Sequence, residues 1–348
     1  SLLIIWPDSK YQLIENIETN QVLLVDYAKA NEARKEDNTI KSVMFKEISS
    51  DVKLSFKHDQ NDIVDFDFQR TIPHKFSEFG PSLTVGDVNG DGLEDVYIGA
   101  SPGYDGKFFL QQNNGTFKAS ELQLQSRIER SIEDVGAALF DFDNDGDLDL
   151  YLVKGGFDLE KNHQKYSDLL YINDGKGFFT LSEGLLPKLT ASGACVRAAD
   201  FDGDGDLDLF VGGRVVPYQY PYAPESIILK NENGKFVDVT DQVCPALRTM
   251  GMVTDALWSD FDSDGKIDLI VAGELMSIKF LNNTGTSLNT IATEIDNYKG
   301  WWNSIAASDF DSDGDIDYVV GNLGLNNAYK VGFEQPVKVF GKDLDENG

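Results

Sequence analysis

Five copies of one nine-residue, aspartate-rich segment dominate this chain. They are Asp87-Val-Asn-Gly-Asp-Gly-Leu-Glu-Asp95, Asp141-Phe-Asp-Asn-Asp-Gly-Asp-Leu-Asp149, Asp200-Phe-Asp-Gly-Asp-Gly-Asp-Leu-Asp208, Asp260-Phe-Asp-Ser-Asp-Gly-Lys-Ile-Asp268 and Asp309-Phe-Asp-Ser-Asp-Gly-Asp-Ile-Asp317. A sixth begins at Asp343-Leu-Asp-Glu-Asn-Gly348. The copies start 54, 59, 60, 49 and 34 residues apart. Self-similarity at such a period marks a chain built from stacked structural repeats. Each copy follows a strand-like run such as Ala137-Ala-Leu-Phe140 or Ala256-Leu-Trp258. Each precedes an apolar, β-prone run: Val96-Tyr-Ile98, Leu150-Tyr-Leu-Val153, Leu209-Phe-Val211, Leu269-Ile-Val271 and Tyr318-Val-Val320. The unit is therefore strand, loop, strand.

A second echo follows the first three loops. Phe108-Phe-Leu-Gln-Gln-Asn-Asn-Gly-Thr-Phe117 matches Leu169-Leu-Tyr-Ile-Asn-Asp-Gly-Lys-Gly-Phe178 and Ile227-Ile-Leu-Lys-Asn-Glu-Asn-Gly-Lys-Phe236. Two short strands about an Asn/Asp-Gly turn are a strong hairpin signal. Two hairpins per repeat make four strands, and a four-stranded unit repeated radially is a β-propeller blade. The expected fold is all-β. A β-solenoid is the structural rival, with shorter repeats. Residues 1–28 fall outside the period and read as three short strands, Leu2–Trp6, Tyr11–Ile14 and Val22–Val25. Residues 29–42 read as a linker and 43–348 as the propeller, with Met44–Pro81 as an incomplete first blade. Gly348 interrupts a repeat motif, which reads as truncation.

The loops have the chemistry of calcium ligands. Calcium takes 6–8 oxygens in flexible geometry, whereas magnesium asks for a stricter octahedron with several waters. Positions one, three, five and nine offer side-chain oxygens: Asp87, Asn89, Asp91 and Asp95; Asp141, Asp143, Asp145 and Asp149; Asp200, Asp202, Asp204 and Asp208; Asp260, Asp262, Asp264 and Asp268; Asp309, Asp311, Asp313 and Asp317. Position seven offers its backbone carbonyl, so its side chain is free to vary through Leu93, Asp147, Asp206, Lys266 and Asp315. Position six is always glycine, as a sharp turn around an ion requires. An EF-hand needs an acid at position twelve. Here that position holds Ile98, Leu152, Val211, Val271 and Val320. Metal-free Asp-Gly turns are the plain alternative, but converging carboxylates repel one another without a cation. About five Ca²⁺ ions are expected, which would bring the formal charge from −29 to −19.

That acidity argues against nucleic acid and anionic lipid as partners. No apolar run reaches the roughly 20 residues of a membrane span. With 41% hydrophobic residues, the chain can bury a substantial core. Cys195 sits in an apolar run and Cys244 precedes Pro245; sequence alone leaves open whether they pair.

The Asp-Phe-Asp-x-Asp-Gly-Asp-Leu-Asp-Leu loops resemble FG-GAP/VCBS repeats, the integrin-α-like calcium-binding propeller repeat, over roughly residues 80–348. Ile4-Ile-Trp-Pro-Asp-Ser-Lys10 through Asn20-Gln-Val-Leu-Leu-Val25 resemble the end of an ASPIC/UnbV domain. With Pro73-His-Lys-Phe76 and Gly212-Gly-Arg-Val-Val-Pro217, the combination is similar to large secreted or surface-anchored bacterial proteins. The resemblance implies a seven-bladed propeller outside the cytoplasm, in the extracellular space, the periplasm or on the outer cell surface, with no defined catalytic activity. Asn89 in place of an acid and Lys266 beside the fourth site depart from the pattern.

Outside the loops the chemistry is sparse. His58, His74 and His163 are scattered and read as structural. No nucleophile elbow, Walker loop or zinc signature is present. Arg214 with Tyr218, Tyr220 and Tyr222 is the candidate ligand surface, since tyrosines beside an arginine can stack on sugars or hold a peptide. Packing between blades is the plainer reading there, as it is for Trp301-Trp302. Three functions compete. The favoured one is a non-catalytic binding or adhesion platform for a glycan or protein ligand. The others are a structural spacer and a propeller enzyme acting on glycans. An enzyme would need His, Tyr, Arg or Glu converging from several blades, and no convergence of that kind is visible in the sequence.

Overall fold

A computed structural model of the chain describes residues 2–6, 8, 10–18, 21–31, 45–121, 132–324, 331, 332 and 334–340. It divides into two compact units, Ser1–Ile48 and Ser49–Gly348. The sixth loop and most of the expected linker lie outside the described residues.

In the first unit, β1 (Leu2–Ile5) pairs antiparallel with β2 (Tyr11–Ile14), and the Trp6 and Tyr27 rings meet edge to face at 5.1 Å. The expected third strand at Val22–Val25 does not form. Val22 is 98% exposed and Leu24 90%, so this β-prone run has neither a pairing partner nor a surface to bury against.

The second unit is a series of four-stranded antiparallel meanders. Blade one is β3 (Leu83–Gly86), β4 (Asp95–Ile98), β5 (Lys107–Gln111) and β6 (Phe117–Glu121). Blade two is β7 (Glu133–Phe140), β8 (Asp149–Gly155), β9 (Leu169–Ile172) and β10 (Thr180–Leu181). Blade three is β11 (Ser192–Ala199), β12 (Asp208–Val215), β13 (Ile227–Asn231) and β14 (Phe236–Asp238). Blade four is β15 (Met252–Ser259), β16 (Asp268–Met276), β17 (Lys279–Asn283) and β18 (Leu288–Ile291). A fifth pair follows, β19 (Gly300–Ser308) and β20 (Asp317–Asn322). It meets β16 through Glu274↔Trp301 and Met276↔Gly300. Every aspartate loop joins the first strand of a blade to its second.

The core lies between blades. Phe140, Tyr151, Leu170, Val196, Leu209 and Leu229 form one layer across blades two and three. Phe210, Ile228, Val253, Ala256 and Leu269 form the next, across three and four. The second strands are therefore buried on both faces and read as unbroken apolar runs: Leu150, Tyr151, Leu152 and Val153 are all fully buried. Where first strands approach a neighbouring blade most closely, only glycine fits. A Cβ on Gly193 would lie 2.2 Å from Val153 Cγ1. Cys195 and Cys244 are both buried as free thiols. At the end of the series the face of β19–β20 is open. Phe310 is 57% exposed, whereas Phe142, its repeat counterpart in blade two, is 2% exposed.

Residues 45–81 do not form the expected incomplete blade; no strand occurs there. Their polar groups are satisfied differently. Residues 60–81 run as a strap held by side chains. The Asp65 carboxylate accepts from the N–H groups of Phe76 and Ser77. The Gln69 amide pairs in both directions with the backbone of Tyr220. Glu133 accepts from the Gly80 N–H. Ile72 and Phe76 fill the space beside Phe157, Val215, Tyr220 and Met252. A chain whose donors and acceptors are taken up this way has no ladder to join.

Candidate metal centres

Each aspartate loop is shaped by its own first carboxylate. Asp141 accepts from the N–H groups of Asp145 and Gly146, and Asp200 from Gly203, Asp204 and Gly205. Asp260 and Asp309 repeat the pattern. Bending the chain around one side chain needs left-handed backbone. Glycine at position six has φ between 82° and 100° in all five loops. Position four is left-handed too, through Gly90, Asn144, Gly203, Ser263 and Ser312. These are small or polar residues, the kind that tolerate this region best in tight turns.

The ninth residue opens the second strand and is fixed from two sides. One oxygen accepts from the N–H of position two: Val88, Phe142, Phe201, Phe261 and Phe310. In blades one to four the other accepts from the third strand, at Gln111, Asn173, Asn231 and Asn283. These bonds leave positions one, three and nine facing one another. Asp141, Asp143 and Asp149 bring ligand oxygens within 4.8 Å of each other, as do Asp200, Asp202 and Asp208; Asp260, Asp262 and Asp268; and Asp309, Asp311 and Asp317. In the first loop Asp87 and Asp95 take the same places around Asn89, whose side-chain oxygen accepts from Asp91 N–H.

Position five stands apart from these triads. Asp91, Asp145, Asp204, Asp264 and Asp313 each turn one oxygen onto the N–H of position seven. At position seven, Asp206 accepts from Asn144 at 2.7 Å and Lys266 pairs with Asp264.

The electrostatics call for a cation. Burial pushes the Asp208 carboxyl up to about 7, with Asp202 and Asp204 adding to the rise and the N–H groups of Asn231 and Phe201 opposing it. Burial likewise pushes Asp149 up to about 6, with Asp143 and Asp147 adding to the rise. Asp95 and Asp268 are raised for the same first reason. Asp202 Oδ1 and Asp147 Oδ1 are buried without a hydrogen-bond partner. Hard, crowded, partly orphaned carboxylate oxygens are the donor set that calcium takes.

The third-strand asparagines also staple each blade to the one before. Asn173 Nδ2 donates to Val88 O, Asn231 to Phe142 O and Asn283 to Phe201 O, at 2.6–2.8 Å. Each acceptor is position two of the preceding loop, so one loop's geometry is passed to the next. In the sequence Asn173 and Asn231 read only as part of a turn.

The candidate ligand surface divides. Arg214 and Tyr220 are buried. Arg214 and His74 both donate toward Glu274 Oε2, at 2.8 and 3.0 Å, and Tyr220 donates to Oε1 at 2.9 Å. Burial pushes the Glu274 carboxyl up, but the His74 bond and the Arg214 charge outweigh it and hold it below its usual range. The Arg214 guanidinium lies between the rings of Phe76 and Phe79. His, Arg, Tyr and Glu thus do converge, from the strap and two blades, as the sequence did not show. Both carboxylate oxygens of Glu274 are engaged, so the cluster clamps the strap. Tyr218 stacks on Phe68. Tyr222 is 53% exposed and lines a groove of about 380 Å³ with Lys161, Lys188, Pro217, Gln219 and Pro224. His163 caps a turn through Lys165 N–H. His58 lies 3.7 Å from Glu133.

Three comparisons bear on this geometry. A family model described as FG-GAP-like repeat matches residues 65–152, 162–211 and 260–320. Mouse (Mus musculus) cartilage acidic protein 1 is 27% identical over 224 residues, 60% of this chain and 32% of that protein. The chain therefore spans about a third of that relative's length. Among solved structures, an Agrocybe aegerita lectin that recognises non-reducing terminal N-acetylglucosamine superposes with a TM-score of 0.45 and 15% identity, over 70% of this chain and 61% of that one. The exotype rhamnogalacturonan lyase YesX gives 0.40 and 14%, over 70% and 45%.

Proposed function

Because the chain belongs to the FG-GAP-like repeat family, we propose that it is a calcium-loaded β-propeller module that works outside the cytoplasm as a non-catalytic binding platform. The observation that carries this is the carboxylate triad, repeated in the second to fifth loops on equivalent residues. In each loop positions one, three and nine supply side-chain oxygens. Position five would supply a further side-chain oxygen, and position seven its backbone carbonyl. The first loop does the same with Asn89 as a neutral ligand. A bound cation would offset the burial that raises Asp149 and Asp208 and the repulsion from their neighbouring carboxylates. The blade-to-blade staples then hold the loaded loops in one frame.

Placement outside the cytoplasm is what membership of the repeat family suggests. Calcium sites in extracellular modules work at about 10⁻⁴–10⁻³ M, a range that suits short exposed loops of this kind. Among the described residues no helix is long and apolar enough to cross a membrane. A glycan or an extracellular protein is the proposed ligand, with the groove beside Tyr222 as its docking surface: an exposed ring, hydrogen-bonding Gln219 and two lysines suit a polar partner. The buried Glu274 cluster does not favour catalysis. A general base works best with a pKa near the operating pH, and Glu274 is held low.

A glycan and extracellular-protein array, probed in calcium and again in EDTA, tests this reading. A ligand retained in calcium and released in EDTA is expected. Retention unaffected by EDTA, or turnover of an arrayed glycan, would contradict it.

A further inference from the structure

The second and third loops form a natural matched pair. Both read Asp-Phe-Asp-x-Asp-Gly-Asp-Leu-Asp, with five carboxylates at the same positions. They differ in what the third strand of the blade presents to them. The residue just before the stapling asparagine faces position three of the loop. In blade four it is Asn282, whose Nδ2 donates to Asp262. In blade three it is Lys230. Its Nζ pairs with Asp202 at position three and lies 3.0 Å from Asp204 at position five. In blade two the equivalent residue is Ile172, and in blade one Leu110. The register is secure, because Asn173 and Asn231 each donate their N–H to the ninth carboxylate at 2.8 Å.

We infer that Lys230 is a built-in counter-ion that makes the third loop a weak calcium site, while the otherwise identical second loop is a strong one. The inference rests on the calcium reading above. A divalent ion entering the third loop has to displace the ammonium from two side-chain ligands and then share the site with its positive charge. The same ammonium lowers the repulsion that would otherwise loosen the loop without metal. Asp202 Oδ1 stays buried and unpartnered beside the lysine, so the loop still accepts calcium at high concentration. The loops are thus graded, and the third fills last among those with five acids.

Calcium-binding isotherms of the EDTA-stripped full chain, measured by equilibrium dialysis with ⁴⁵Ca²⁺, test this on four proteins: wild type, Lys230→Met, Lys230→Gln and Ile172→Lys. Lys230→Met should move one ion per chain to about 10- to 100-fold tighter binding, the range typical of groups that tune metal ligands. Lys230→Gln, which keeps a hydrogen bond without the charge, should do the same, and it serves if the methionine variant folds poorly. Ile172→Lys should move one ion the other way. Isotherms that bind calcium but superimpose for wild type and both Lys230 variants overturn the inference and leave the calcium reading standing. Absence of calcium binding in every protein overturns both.

Discussion

Chelation with EDTA at pH 7.5 is expected to lower the melting temperature of this protein by about 20 °C. An ion that binds the native state alone stabilises it by RT ln(1 + [L]/Kd), about 2.7 kcal/mol at a hundredfold excess over Kd. Three to four such sites contribute about 8–11 kcal/mol, at roughly 2 °C per kcal/mol for a chain of this size. The effect also depends on pH, and its sign follows from the buried ninth carboxylates. Asp149 is raised from 3.8 to about 6 and Asp208 from 3.8 to about 7. A carboxyl raised on folding binds its proton more tightly in the native state. The metal-free protein therefore loses stability as the pH climbs from about 4 through 7. Calcium takes the place of those protons and binds better as they leave. The gap between calcium and EDTA melts should be small at pH 5 and large at pH 7.5. Thermal melts at both pH values check this; a gap that is equal at the two, or absent, contradicts it.

Glu274→Ala lowers stability by about 3–5 kcal/mol, because it leaves a buried arginine without its partner. The Arg214 and Glu274 side chains are only 8% and 3% exposed. The substitution also removes the acceptor of the Tyr220 hydroxyl and His74 Nε2 bonds, which should loosen the strap. Replacing both charges, as Arg214→Met with Glu274→Met, should cost much less than the two single changes added together, since an ion pair removed whole leaves no orphaned charge. Glu274 lies six residues along β16 from the loop, about 20 Å at 3.3 Å per residue. Its loss should therefore lower the melt by similar amounts in calcium and in EDTA. Urea unfolding of Glu274→Ala, the two methionine single variants and their double variant under both conditions is the check. A single-variant cost under about 1 kcal/mol would mean that the cluster does not clamp the strap.

The architecture was legible where it was local. The nine-residue loop carries its turn, its ligands and its following strand within one short window, so Asp141 to Val153 could be read from spacing alone. The apolar residues at position twelve pointed to strands, and those strands are the buried centres of the blades. What could not be read joins distant parts of the chain. His74 and Glu274 are separated by 200 residues, Gln69 and Tyr220 by 151. Neither pair sits in a pattern that periodicity exposes. Asn173 and Asn231 looked like hairpin-turn residues because the blade that accepts their bonds is not nearby in sequence, and Asn283 fell in no pattern that was read. Lys230 looked like an ordinary polar strand residue until the fold set it against Asp202. Local preference also misled. Val22–Val25 and the stretch from Met44 to Pro81 contain β-prone residues, but they find no ladder, and strand propensity without a partner does not make a strand. The position-five carboxylates, expected among the ligands, each accept the N–H of position seven with one oxygen, and the Asp145→Ala variant below tests their part in holding an ion.

The proposed function rests on calcium in the loops, and the metal content of the purified chain tests that most directly. Protein saturated with millimolar calcium, passed rapidly into metal-free buffer and analysed by inductively coupled plasma mass spectrometry, should carry at least three calcium ions per chain and no stoichiometric zinc. The Asn89 and Lys230 loops should be the first to lose theirs, and the Asp145→Ala and Asp149→Ala variants should each retain one ion fewer. A chain that retains no calcium, or carries zinc in its place, would contradict the account.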